Sequence, residues 1–135
     1  MISEIEEYAR NNNVPIMLKD GITYLCNYIK DNNIKSILEI GSAIGYSSIM
    51  MALVDNDIKI TTIEKDTNRY NMAIDNINKF NLSSRITILN EDALESNING
   101  TFDLIFIDAS KGNNINFFNK YKSNLNKSGV IVTDN

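Results

Sequence analysis

Two apolar runs in this chain end on oxygen donors. Asp108 follows Phe102–Ile107, and Asp134 with Asn135 follows residues 129–133. Hard oxygen ligands at neighbouring strand ends suit a divalent cation such as magnesium. The sequence holds 0 histidines. That removes the commonest general base and the usual zinc and iron ligand, so any metal here is held by oxygen. Lys111 lies just beyond Asp108. A lysine beside a cation has a lowered pKa and can take a proton from a substrate hydroxyl. The plainer alternatives are a surface lysine, and an Asp-Asn pair serving as turn chemistry.

Three further positions carry chemistry. Glu39-Ile40-Gly41-Ser42-Ala43-Ile44-Gly45-Tyr46-Ser47 places one glycine directly after an apolar run and a second before a helical pattern. The first permits a tight turn and close approach of a ligand to backbone. The second leads into a helix start whose free N–H groups, with the Ser47 hydroxyl, can hold a carboxylate. The spacing is Gly-x-x-x-Gly, not the Gly-x-Gly-x-x-Gly that cradles a pyrophosphate. It favours a nucleoside cofactor without a diphosphate, S-adenosylmethionine, over a nicotinamide dinucleotide; an ordinary strand–helix turn is the alternative. Glu64 ends the next apolar run, where an acid can accept both ribose hydroxyls. Asp92 follows a third run and can accept from an adenine amino group, or serve as a loop acid or helix cap.

These positions depend on the elements between them. Ser3 and Glu6 read as a capping box opening a short helix over Ile5, Tyr8 and Ala9. A second helix is predicted over residues 20–31, with Ile22, Leu25 and Ile29 on one face. Then strands at Ser36–Ile40, 58–64, Ile86–Leu89, Phe102–Ile107 and 129–133 alternate with helices. Thr67 is expected to cap the helix carrying Tyr70, Ala73, Ile74, Ile77 and Phe80. Residues 47–54 form another helix, and Phe118, Tyr121 and Leu125 mark the last. Near-continuous apolar strands separated by helices imply a parallel sheet covered on both faces. Right-handed crossovers put every carboxyl end on one edge, where ligands bind.

Bulk properties agree with one domain. At 135 residues, with 43% hydrophobic and 22% charged residues, the chain can bury a core and is neither disordered nor a coiled coil. A net charge of -4 gives no general attraction to nucleic acid. The single Cys26 excludes an internal disulfide and fits a reducing compartment. No apolar run is long enough to span a bilayer and the start lacks a signal-peptide pattern, so a cytoplasmic location is expected.

Taken together, these residues resemble the metal-dependent O-methyltransferases of the catechol and caffeoyl-CoA type. The motifs are Leu38-Glu39-Ile40-Gly41 with Gly45-Tyr46-Ser47, Ile63-Glu64-Lys65-Asp66, Asp92-Ala93, Asp108-Ala109-Ser110-Lys111 and Asp134-Asn135. Asn13-Val14-Pro15-Ile16-Met17 resembles the small bacterial members, some of which methylate 5-hydroxyuridine at the tRNA wobble position. The resemblance implies an α/β, Rossmann-like parallel sheet in the order 3-2-1-4-5. Residues 1–35 would cover the site and residues 36–135 would form the cofactor-binding core. It implies S-adenosylmethionine held by Glu39, Gly41, Gly45, Tyr46, Ser47, Glu64, Asp92 and Asp108, and magnesium held by Asp108, Asp134 and Asn135. Lys111 and Asp108 would be catalytic. The acceptor would be an acidic hydroxyl, on the wobble uridine of tRNA or on a catechol or acyl-CoA phenol, and the full-length form a homodimer. Family members continue past Asp-Asn by about two strands and a helix, on the size of a full domain of this kind. The expectation is therefore a C-terminally truncated member, inactive by itself. A non-catalytic cofactor-binding fragment is the rival.

Overall fold

A computed structural model describes residues 1–108 and 113–134. Two helices, α1 (Ile2–Asn11) and α2 (Lys19–Asp31), precede strict alternation: β1 (Ser36–Ile40), α3 (Tyr46–Ala52), β2 (Lys59–Ile63), α4 (Thr67–Lys79), β3 (Ile86–Leu89), β4 (Phe102–Ile107), α5 (Asn114–Tyr121), a 3-10 turn (Lys122–Asn124) and β5 (Leu125–Thr133). The five strands form one sheet in the order β3-β2-β1-β4-β5. Every adjacent pair is parallel. This is the expected α/β architecture and strand order.

Alternation along the strands builds two separate apolar layers, because successive side chains leave opposite faces. Ile37, Ile60, Leu104 and Phe106 meet α1, α2, α3 and α4 on one face. Leu38, Ile40, Ile63, Ile105 and Ile107 meet Phe117 and Tyr121 of α5 on the other. Ile22, Leu25 and Ile29 of α2 are buried together, as their spacing predicts. β5 is an edge strand whose Val130, Ile131 and Val132 are half-buried.

Three local expectations are corrected. The Ser3–Glu6 capping box does not form: Ser3 lies inside α1, whose N-cap is Met1 with no side-chain bond, and Glu6 instead accepts from Tyr46. Thr67 is the first helical residue of α4, and the cap is Asp66, whose carboxylate accepts from the Arg69 N–H at 3.0 Å. An ionised acid at that point also meets the positive end of the helix dipole, which favours it over a hydroxyl. The last helix buries Phe117 and Tyr121 rather than Phe118, which is 44% exposed, and Leu125 already belongs to β5.

One carboxylate sits inside the sheet layer. Glu39, on β1, is 0% exposed. It accepts hydroxyl bonds from Ser47 and Ser48 of α3 and from Thr62 of β2, the last at 2.7 Å. Thr62 is in turn bonded to Ser42 in the turn after β1. Unsatisfied, such a group would be costly; satisfied, it ties β1, β2, the glycine turn and the start of α3 to a single point. Burial lifts the Glu39 pKa above the ordinary 4.5; the hydroxyls of Ser47, Ser48 and Thr62 oppose this, and the charge of Glu64 adds to it.

The cap assignment predicts that Asp66→Ala lowers stability by about 1 kcal/mol and Thr67→Ala by about 0.5 kcal/mol or less in urea unfolding. Equal losses would contradict it. Glu39 sets a second expectation. A carboxyl with a raised folded pKa stabilises fully below its unfolded value and loses that contribution as pH rises through the folded one. Urea midpoints measured upward from about pH 4.5 should therefore fall less steeply for Glu39→Gln than for the wild type. Parallel pH profiles would count against a raised Glu39.

Candidate functional site

The site follows from how the ladders end. Each ladder's last hydrogen bond is donated from one residue beyond a strand. The Glu64 N–H donates to Leu89 O at 2.9 Å, the Asp108 N–H to Ile40 O at 2.9 Å and the Asp134 N–H to Ile107 O at 3.0 Å. Three acids are thereby fixed by their backbones at the carboxyl edge of the sheet. The Gly41 and Ser42 N–H groups both donate to Ile63 O, turning the chain sharply after β1. Gly41 takes φ +96° and Gly45 φ +89°, a region that glycine enters freely.

A cavity of about 740 Å³ opens along this edge. Gly41, Glu64, Asp92, Asp108 and Asp134 all line it, as do Ile40, Ala43 and Ile63 from the sheet and the glycine turn. Glu64 is held on both oxygens: Oε1 accepts from the Ala43 N–H at 2.7 Å and Oε2 from the Asp66 N–H at 2.9 Å. Each carboxylate oxygen has a second lone pair, so acceptor capacity towards the cavity remains. Asp92 Oδ1 accepts from the Leu94 N–H at 3.0 Å, and its Oδ2 lies 3.5 Å from Lys65 Nζ. Tyr121 of α5 donates to Ala93 O, which fixes the loop carrying Asp92. Asp108 is half-buried, and burial, with the charges of Glu39 and Asp134, pushes its carboxyl up to about 7. A carboxyl disfavoured in its charged form by burial and by neighbouring acids is one that a divalent cation relieves, and the all-oxygen donor chemistry fits magnesium.

Other expected ligands sit elsewhere. Glu39, Tyr46 and Ser47 do not line the cavity. Glu39 is enclosed by hydroxyls, and Ser47 is 6% exposed with its hydroxyl committed to Glu39. Tyr46, 2% exposed, points its hydroxyl at Glu6 Oε2, 2.7 Å away. The structure places these three side chains behind the glycine turn, which they shape through their hydrogen bonds. Gly45 is also enclosed: a Cβ there would lie 3.4 Å from Ala73. Its role is close packing of the turn on α4, with Asn76 donating to Ile44 O beside it. Lys111 and Asn135 lie outside the described residues. Among those residues no group of three or more acids, cysteines or histidines could hold a metal ion; Asp108 and Asp134 line the same cavity as a pair.

The cavity also has walls that the motifs did not single out. Pro15 enters from the segment after α1, Lys65 from the loop between β2 and α4, Arg69 from the first turn of α4, and Asn114 and Phe117 from α5. Lys65 follows Glu64 directly, so its place at the rim was readable from the strand end. The side-chain oxygen of Asn114 is buried and has no hydrogen-bond partner among the described residues. Nothing in the sequence distinguished it from the many other asparagines.

Known proteins share this arrangement. The whole chain, residues 1–135, matches the family described as O-methyltransferase. The caffeoyl-CoA O-methyltransferase of Stellaria longipes is 30% identical over 75% of this chain and 46% of its own. Tapetum-specific methyltransferase 1 of Arabidopsis thaliana is 29% identical over 97% of this chain and 59% of its own. Among solved structures, a caffeoyl-CoA O-methyltransferase candidate from Staphylococcus aureus is 37% identical with a TM-score of 0.94, covering 98% of this chain and 65% of that one. The O-methyltransferase from Bacillus cereus in complex with S-adenosylhomocysteine is 28% identical with a TM-score of 0.87, covering 99% and 65%. The chain thus spans 59% or less of the length of these curated relatives. With its fold, its strand-end acids and its full-length family match in agreement, the chain belongs to the O-methyltransferase family.

Proposed function

We propose that this chain forms the donor-binding and metal-binding part of an S-adenosylmethionine-dependent O-methyltransferase. The observation that carries the reading is the convergence of Glu64, Asp92, Asp108 and Asp134 on one cavity at the carboxyl edge of a parallel sheet. Gly41 brings backbone within reach of a ligand, Glu64 accepts the ribose hydroxyls and Asp92 accepts from the adenine amino group. Asp108 and Asp134, with Asn135, would hold magnesium, which would supply Lewis-acid activation of an acceptor hydroxyl. Lys111 takes the hydroxyl proton. The acceptor oxygen then bonds to the donor's methyl carbon as the carbon–sulfur bond breaks, releasing S-adenosylhomocysteine and a methyl ether. The protein's contribution is orientation and charge placement.

The acceptor class follows the relatives. Several are named for caffeoyl-CoA, which supports a small phenolic acceptor. A hydroxylated wobble uridine of tRNA is the second reading, supported by the Asn13–Met17 resemblance and by Lys65 and Arg69 at the rim. The one cysteine, Cys26, suits a cytoplasmic setting. No described helix is long and apolar enough to cross a membrane. The longer form is proposed to act as a homodimer, with residues 1–35 covering the site.

S-Adenosylhomocysteine should raise the melting temperature saturably while NAD does not. Glu64→Ala should weaken that ligand by roughly tenfold or more, the loss of one or two bonds to a charged group. Stabilisation by NAD alone, or unchanged affinity in Glu64→Ala, would sink the donor reading. Calorimetry with magnesium checks the second half. Heat of binding should be present in the wild type and lost in Asp108→Ala and in Asp134→Ala; equal binding by all three would remove these residues as ligands.

A further inference from the structure

Tyr46 is the first residue of α3 and closes the glycine turn, yet its hydroxyl leaves the cavity side altogether. It donates to Glu6 Oε2 of α1 at 2.7 Å, across 40 positions of sequence. Tyr46 is 2% exposed and Glu6 is half-buried, so the bond is partly shielded from solvent. Near one end of the same helix, the Val14 N–H donates to Ala9 O at 2.9 Å, folding the chain back over α1. Pro15, the next residue, is a wall of the donor cavity. A continuous path therefore runs from the glycine turn through Tyr46, Glu6, α1 and the Ala9–Val14 bond to the cavity rim. Tyr8 adds a weaker contact from α1 to Met72 of α4 at 3.7 Å.

We propose that the Tyr46–Glu6 bond is a latch that sets the position of α1, and so of Pro15, over the bound methyl donor. Tyr46 and Glu6 are then positioning residues for the donor, acting through the helix and touching no ligand themselves. The proposal rests on the reading of the cavity as the donor site. Its physical basis is that a hydroxyl–carboxylate bond, with one charged partner, is stronger than a neutral pair. Placing it at the junction of turn and helix makes order in the glycine turn and order in α1 mutually supporting. A ligand that orders one should then order the other by the same factor.

The test uses the whole chain and four variants: Tyr46→Phe, Glu6→Ala, the double variant, and Glu6→Gln as rescue. Amide hydrogen exchange of residues 2–14 and the S-adenosylhomocysteine dissociation constant are measured well below each melting temperature. Tyr46→Phe and Glu6→Ala should each speed exchange across α1 by roughly tenfold, and each should weaken the ligand by roughly five- to fiftyfold. The double variant should be no worse than the worse single variant, because both remove one bond. Glu6→Gln, which keeps an acceptor, should recover most of the affinity. In the wild type the ligand should slow exchange in residues 2–14. Faster exchange with an unchanged dissociation constant would show a purely structural bond and overturn the proposal, as would additive losses in the double variant. Should Tyr46→Phe not fold, Glu6→Ala with its Glu6→Gln rescue carries the same decision. If the wild type fails to bind the ligand while the variants still loosen α1, the donor reading itself has failed and the latch's role falls with it.

Discussion

Parallel register is the constraint on which the site depends. β1 lies between β2 and β4, and each ladder continues one residue past the strand into an acid or a glycine. The backbones of Glu64, Asp108 and Asp134 are therefore tied to the sheet, while their side chains line the cavity at its edge. Ile63 and Ile107, which precede Glu64 and Asp108, and Ile40 on the strand between them are almost fully buried. That apolar surround raises the cost of an uncompensated charge on Asp108, which a cation relieves.

Polarity inside the sheet is confined to one knot. Glu39, Ser42, Ser47, Ser48 and Thr62 bond to one another beside an apolar layer that includes Ile37, Ile60, Leu104, Phe106 and Met51. Removing one member would leave the others buried without partners, which is why such a network specifies a single arrangement of the turn. Glu64 extends this control, because it accepts from the N–H of Ala43, a non-glycine residue at φ +48°. The turn is thus shaped from beneath by Glu39 and from the side by Glu64, and Tyr46 carries its placement outward to α1.

Much of this was legible in the sequence. The strands, the parallel architecture and the acids at strand ends followed from apolar runs of strand length separated by helical patterns. Side-chain direction did not follow. Ser47 beside a glycine turn reads as an anion ligand, but Glu39 faces it across the layer and takes its hydroxyl, a pairing of residues on β1 and α3 that no local pattern announces. Tyr46 reads as a cofactor contact for the same reason, and its partner Glu6 reads as part of a capping box. The Asp66 cap was misread because Thr67 is also a good capping residue and lies one position away. Phe118 was expected inward where Phe117 is, since two adjacent aromatics leave the helix phase ambiguous. Lys111 and Asn135 fall outside the described residues, so their expected roles rest on the sequence.

The most direct measurement is a crystal structure of this chain grown with S-adenosylhomocysteine and magnesium. The account predicts density for the nucleoside with its ribose on Glu64, its sulfur over the 41–45 turn, and a cation between Asp108 and Asp134. A nucleoside bound anywhere else, or a cation coordinated away from those two carboxylates, would contradict it.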